Sequence, residues 1–198
     1  MLERKHFESV CRIVQNHGIV FTPDEFELIK AQTQHRILPA GTVLMKQGKE
    51  VQSLYFLNRG IARLFRVEKD VDYTLGIISH RHFLSTPLYL QNGQLSSCAL
   101  EALTEVEVLE WNKGGALALK KAIPRMYEME MAIMDRLLNW LQDHQIEAIC
   151  MTAEERYKKI VETQPEVIQK VPLKYIASLL AIHQDSLSRI RKQVTQRS

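Results

Sequence analysis

His80-Arg81-His82 is the first place in the sequence to look for chemistry. On a β-strand, the two imidazoles of a His-x-His pair point to one face, which is how a transition-metal site can begin. Such a centre on a barrel then needs a carboxylate about four residues on and a third histidine on a later strand. The residue four places after His82 is Thr86, and the next histidine is His144, in a helical stretch. The pattern fails at both positions. There is also no Gly-x-Ser-x-Gly elbow, no phosphate-binding P-loop and no Cys/His pair at catalytic spacing. The sequence therefore predicts no catalytic residue, no metal site and no cofactor. It reads His80 and His82 as solvated or hydrogen-bonded histidines.

A second candidate is "FLSTPLYLQNGQLSSCAL", residues 83–100. It holds no Asp, Glu, Lys or Arg, although charged residues make up 25% of the chain. It reads as the end of a strand, a Ser-Thr-Pro helix start, a turn of helix, an Asn92-Gly93 turn and a new strand. Backbone N–H groups at such a start can hold an anion. Ser85, Thr86, Asn92, Ser96 and Ser97 would then offer polar groups to a small effector. A plain structural corner is an equal reading of the same residues.

The third stretch is "LKYIASLLAIHQDSLSRIRK", residues 173–192. Two short helices that cross at a tight turn need a fixed set of apolar positions. Ile176, Leu180, Ile182, Leu187 and Ile190 fill them, and the small Ala177 stands where the second helix crosses closely. This is the helix-turn-helix pattern. It departs from that pattern at Ala181, in the turn, where glycine is usual because the backbone tends to be left-handed. The second helix would start near His183 and carry Gln184, Asp185, Ser186, Ser188, Arg189 and Lys192 as its DNA-facing set. Gln, Arg and Asp can read base edges, while Ser and Lys serve phosphates. From Pro172 onward, Lys174, Arg189, Arg191, Lys192 and Arg197 stand against Asp185 alone, although the whole chain carries a formal net charge of only +3. Basic charge gathered at one end suits a polyanion.

The elements that must position these groups follow from glycine and heptad spacing. All 8 glycines lie at or before Gly115. Glycine serves turns and weakens helix interiors, so a turn-rich β part should precede an all-helical part. Thr22, Pro23 and Glu25 form a helix-starting capping box. Short strands are expected at 42–47, 53–58, 61–67, 73–79, 97–103 and 106–111, then a short helix at 112–123. Pro124 opens a long helix to Cys150. Tyr127, Met131, Met134, Leu138 and Leu141 form one apolar stripe on it, and Met126, Ile133 and Trp140 an adjoining one. One stripe would bury the helix on its own domain, and the other is predicted to pair with a second copy of the chain. Thr152 and Glu155 form another capping box. Thr163 with Glu166 and then Pro172 suggest two further helix starts. The predicted organisation is 1–123 sensor barrel, 124–150 dimerisation helix and 151–198 DNA-binding helices, an α+β fold. No secretory signal or membrane span is expected. Cys11, Cys98 and Cys150 lie far apart and read as idle thiols of a cytoplasmic protein.

A barrel, a long helix with a spare apolar stripe and a terminal helix-turn-helix together resemble the Crp/Fnr superfamily of bacterial transcription regulators. The resemblance rests on "LPAGTVLMKQGKEVQSLYFLNRGIARLF" (38–65), on the corner at 83–104 and on residues 172–192. It implies a cyclic-nucleotide-binding-like jelly roll (a double-stranded β-helix) and a homodimer on double-stranded DNA. RNA polymerase is a further implied partner. With only six residues after Lys192, the usual β-wing has no room. In members that bind cyclic AMP, an acid in the corner holds the ribose and an arginine neutralises the phosphate. Thr86 and Ser96 fall at those two places, so cyclic AMP is not expected to be the effector, and the sequence leaves open whether another effector exists and what it is. The alternatives are a dimeric adaptor whose helix-turn-helix binds protein, and a cupin-like metalloenzyme.

Overall fold

The computed structural model describes residues 3–79, 81–85, 90 and 93–197. A 3-10 turn (Arg4–Phe7) leads into α1 (Glu8–Asn16), and α2 (Pro23–Ala31) follows. The expected capping box is present on α2. Thr22 Oγ1 accepts from the Glu25 N–H at 3.2 Å, and the Glu25 carboxylate accepts from the Thr22 N–H at 2.8 Å. The sequence expectations hold no helix before Thr22. One forms because Phe7, Val10 and Val14 recur every three or four residues and are almost fully buried.

Among the described residues eight strands follow: β1 (Gln34–Leu38), β2 (Val43–Met45), β3 (Ser53–Arg59), β4 (Ile61–Glu68), β5 (Val71–Ser79), β6 (His82–Phe83), β7 (Ala99–Ala102) and β8 (Val106–Asn112). They make two four-stranded sheets, β1-β8-β3-β6 and β2-β7-β4-β5, with antiparallel pairing throughout. This is a jelly-roll sandwich. All six expected strands are present, and β1 and β6 are additional. In β3, Ser53 to Leu57 are buried without alternation. One core joins the sandwich interior to α1, α2 and the first turns of the long helix, so β3 is covered on both faces.

After the sandwich come α3 (Lys113–Ala122), capped by Asn112, then the long α4 (Met126–Cys150) and α5 (Ala153–Thr163), capped by Thr152. The short α6 (Pro165–Lys170), α7 (Leu173–Leu179) and α8 (Gln184–Arg197) complete the chain. The expected start at Thr163 needs correction. Pro165 is the first residue of α6 and Gln164 precedes it, so the Thr163 hydroxyl instead donates back to the Lys159 carbonyl at 2.7 Å, at the end of α5. The break expected at 149–152 is present: α4 stops at Cys150 and Met151 is extended.

A second core joins Ile61 and Ile77 of the sandwich to Tyr157, Val167, Ile176, Leu180 and Leu187 of the C-terminal helices. The helix-turn-helix is thus built onto the outer face of β4 and β5.

Among the described residues, two charged groups are buried in the sandwich. Glu110, 9% exposed, accepts from Ser53 Oγ at 2.6 Å, Tyr55 OH at 3.2 Å and Arg36 at 2.8 Å. Burial pushes its carboxyl up, but the bonds from Ser53 and Arg36 outweigh this and hold it below the usual carboxylate range. Arg63 is the other, and it belongs to the contact with α7.

Candidate nucleic-acid interface and sensor corner

The helix-turn-helix closes as its apolar spacing demands. Ile176, Ala177, Leu180 and Leu187 are buried, while Ile182 and Ile190 pack partly buried at its edge. Ala181 has φ +56°, the left-handed conformation expected of the turn. An L-residue with a Cβ is strained there. Ala181→Gly should therefore raise unfolding stability by about 0.5–1 kcal/mol, checked by urea denaturation. A loss of stability would show that the turn is not left-handed in solution.

α8 carries the expected polar face. His183, Gln184, Asp185, Ser188, Arg189 and Lys192 are exposed, and Ser186 is half-buried beside Leu187. Among the described residues Arg189 and Lys192 have no ion-pair partner, so both are free for a polyanion. Ser188 is less available, because its hydroxyl donates to the Gln184 carbonyl at 3.0 Å.

The sequence expectations miss what holds α7 in place. Arg63 on β4 is 3% exposed. Its guanidinium takes both Asp72 carboxylate oxygens at 2.7 and 2.8 Å and Glu101 at 2.9 Å. It lies between two rings, with its central carbon 4.0 Å from the centroid of Phe65 and 3.8 Å from that of Tyr175 on α7. Close by, the Thr74 N–H donates to Ser178 Oγ at 2.9 Å, and that hydroxyl faces the Asp72 carbonyl at 3.4 Å. β5 is an edge strand, and α7 covers it and satisfies that amide. An arginine in the middle of "IARLFRV" is the only trace of this in the sequence.

In the corner that follows β6, Ser85 and Ser96 point inward. Ser85 Oγ donates to the Ser53 carbonyl at 3.0 Å, and Ser96 Oγ donates to the Cys98 carbonyl at 2.7 Å. Ser96 is only 2% exposed. Ser97 is exposed, and its carbonyl accepts from Arg66 at 2.7 Å. Thr86, Asn92 and His80 lie outside the described residues. A cleft of about 470 Å³ opens elsewhere, where Arg81 and His82 of the barrel rim meet Arg136 of α4 and Gln164 and Glu166 of the C-terminal helices. All three cysteines are free thiols.

On α4 the two stripes behave differently. Ile133 is buried, Met126 packs partly buried, and the Trp140 ring lies so close to β5 that a Cβ on Gly76 would come within 2.7 Å of it. Met134 is half-buried. Tyr127, Met131, Leu138 and Leu141 face outward, Met131 at 69% and Leu138 at 59% exposure.

Residues 35–122 match the family model of the cyclic nucleotide-binding domain, and the sandwich is of that class. The "Cyclic AMP receptor protein" of Thermus thermophilus is 28% identical over 123 residues, which is 62% of this chain and little more than half, 56%, of that relative. A solved putative transcriptional regulator of the Crp/Fnr family from Eubacterium rectale superposes with a TM-score of 0.71 at 11% identity, covering 89% of this chain and 85% of that one. The c-di-GMP-responsive global regulator CLP of Xanthomonas campestris gives 0.69 at 18% identity, over 89% and 93%. The two structural likenesses show the fold, and the matches agree with the resemblance to the Crp/Fnr superfamily read from the sequence motifs. The relatives are named as a receptor and regulators, not as enzymes. Among the described residues no helix is long and apolar enough to cross a membrane.

Proposed function

We propose that the chain is a sequence-specific DNA-binding transcription regulator of the cytoplasm, acting as a homodimer through α4. The observation that supports this is the α7-turn-α8 unit, closed over its apolar positions with Arg189 and Lys192 outward and without an ion-pair partner among the described residues. In a two-fold dimer, two α8 helices would enter successive major grooves of inverted half-sites about 34 Å apart. Arg189→Ala should cost about 1–3 kcal/mol on the best site and relax the preference at one base-pair position. Lys192→Ala should weaken binding to all sequences alike and make the salt slope shallower by about one unit per half-site. Titration of labelled duplexes at several salt concentrations separates the two. If both variants weaken every sequence equally, α8 is a non-specific basic surface.

The effector is not cyclic AMP on this reading. Ser96 stands where the resemblance places the phosphate-neutralising arginine, and its hydroxyl is already used by the Cys98 backbone. Charge-assisted bonds are roughly twice as strong as neutral ones, so their absence removes most of the affinity. Calorimetry with cyclic AMP or cyclic GMP should show no binding tighter than about 100 µM. Micromolar binding would mean that backbone donors alone hold the phosphate.

A further inference from the structure

We infer that the chain holds a divalent transition-metal ion between His6, His35 and Glu107. The three residues are far apart in sequence and come from three elements: the N-terminal 3-10 turn, β1 and β8. In the β1–β8 register, Ile37 lies opposite Glu107 and His35 opposite Leu109, so His35 and Glu107 are diagonal neighbours on one face. His35 Nε2 is 2.9 Å from Glu107 Oε1. The His6 ring lies over the His35 ring, with centroids 4.2 Å apart. One ligand atom from each residue falls within 4.8 Å of the others. All three side chains are partly buried, so the site is sheltered yet open on one side.

The donor set has the right chemistry. Two imidazoles and one carboxylate suit zinc or another first-row divalent ion, with positions left for water or a further ligand. Bond lengths near 2.1 Å place ligand atoms of a tetrahedral ion about 3.4 Å apart, a change of roughly an ångström that side-chain rotation supplies. The next layer is also present. His6 Nδ1 accepts from the Glu3 N–H at 3.0 Å and also lies 3.1 Å from the Glu3 carbonyl oxygen, so an ion on Nε2 would require the tautomer in which Nδ1–H donates to that carbonyl instead. Asn58 Nδ2 donates to the His6 carbonyl at 2.9 Å, and the neighbouring Phe7 is buried in the core, so the turn is held on the sheet before any ion arrives. A bound ion would tie the N-terminal turn to the outer sheet of the sensor barrel.

The test is calorimetric titration of the full chain, free of any affinity tag, with zinc(II) in the presence of a weak competing chelator. The expected result is one ion per chain with a dissociation constant of about 10 µM or tighter. His6→Gln, His35→Gln and Glu107→Gln should each weaken it by at least about tenfold, while His82→Gln and Cys150→Ser should leave it unchanged. Zinc should also raise the melting temperature of the parent chain but not of Glu107→Gln. Cobalt(II) in the same site should give no intense thiolate charge-transfer band. Absence of saturable binding to the parent chain overturns the inference. So does binding that survives His35→Gln or is lost with Cys150→Ser, since the ion would then sit elsewhere.

Discussion

Leu138→Glu should leave the chain monomeric at micromolar concentration, with a light-scattering mass of 22.9 kDa where the parent gives twice that value. Tyr127, Met131, Leu138 and Leu141 put a run of large apolar side chains on the solvent side of one helix, next to a stripe already used against β5. Burying a leucine contributes about 1.5–3 kcal/mol, and a two-fold seam counts each residue twice. A glutamate at the centre of that seam would face its own copy, adding charge repulsion to the lost burial. DNA binding should fall with assembly. Two linked recognition helices gain about 10²- to 10⁴-fold over one through effective concentration, and the monomer should lose that factor on an inverted repeat. The fold should survive, because position 138 is exposed in the single chain. A variant that still runs at twice the chain mass would remove α4 from the interface.

Arg63→Ala should be the most damaging single change outside the apolar cores. It strips Asp72 and Glu101 of their shared partner and takes away the cation between Phe65 and Tyr175. Removing one member of a buried charge pair costs about 3–5 kcal/mol; Asp72 is partly solvated, so about 2–4 kcal/mol is expected here. The loss should be local in a measurable way. Hydrogen exchange at the Thr74 amide and along α7 should speed up more than exchange in β3 or β8, because those groups depend on the contact with Ser178 and Tyr175. Arg63→Lys should not rescue it, since an ammonium cannot offer the flat fork that takes both Asp72 oxygens and Glu101 at once. A cost below about 1 kcal/mol for Arg63→Ala would mean that α7 is held by the apolar contacts alone. The same contact gives a physical route between barrel and helix-turn-helix. A ligand that shifts β4 or β5 would act on α7 through the difference it makes to these bonds and to the apolar contacts of Ile61 and Ile77.

The parts of this molecule that were legible in the sequence are those set by local spacing. The helix-turn-helix could be read because Ile176, Ala177, Leu180 and Leu187 lie within twelve consecutive residues and their order alone fixes the crossing. The capping boxes at Thr22 and Thr152 were legible for the same reason. β1 was not, since Gln34-His35-Arg36 carries no apolar alternation and owes its strand to pairing with β8. β6, at two residues, is too short to signal anything. The Arg63 contact with Glu101 and Tyr175 and the His6/His35/Glu107 cluster were invisible because these members come from distant segments, brought together by the jelly-roll path and by the packing of the N-terminal turn and α7 onto it. The serines at 85 and 96 could be listed as polar candidates, but only the fold shows that both hydroxyls turn inward to backbone carbonyls.

Selection from a random duplex pool, followed by sequencing of what the full chain retains at moderate salt, tests the regulator reading most directly. The expected result is an inverted repeat with half-sites centred about one helical turn apart, containing a guanine whose preference disappears with Arg189→Ala. A pool that comes back with no inverted repeat, or with none of its preference dependent on Arg189, would contradict it.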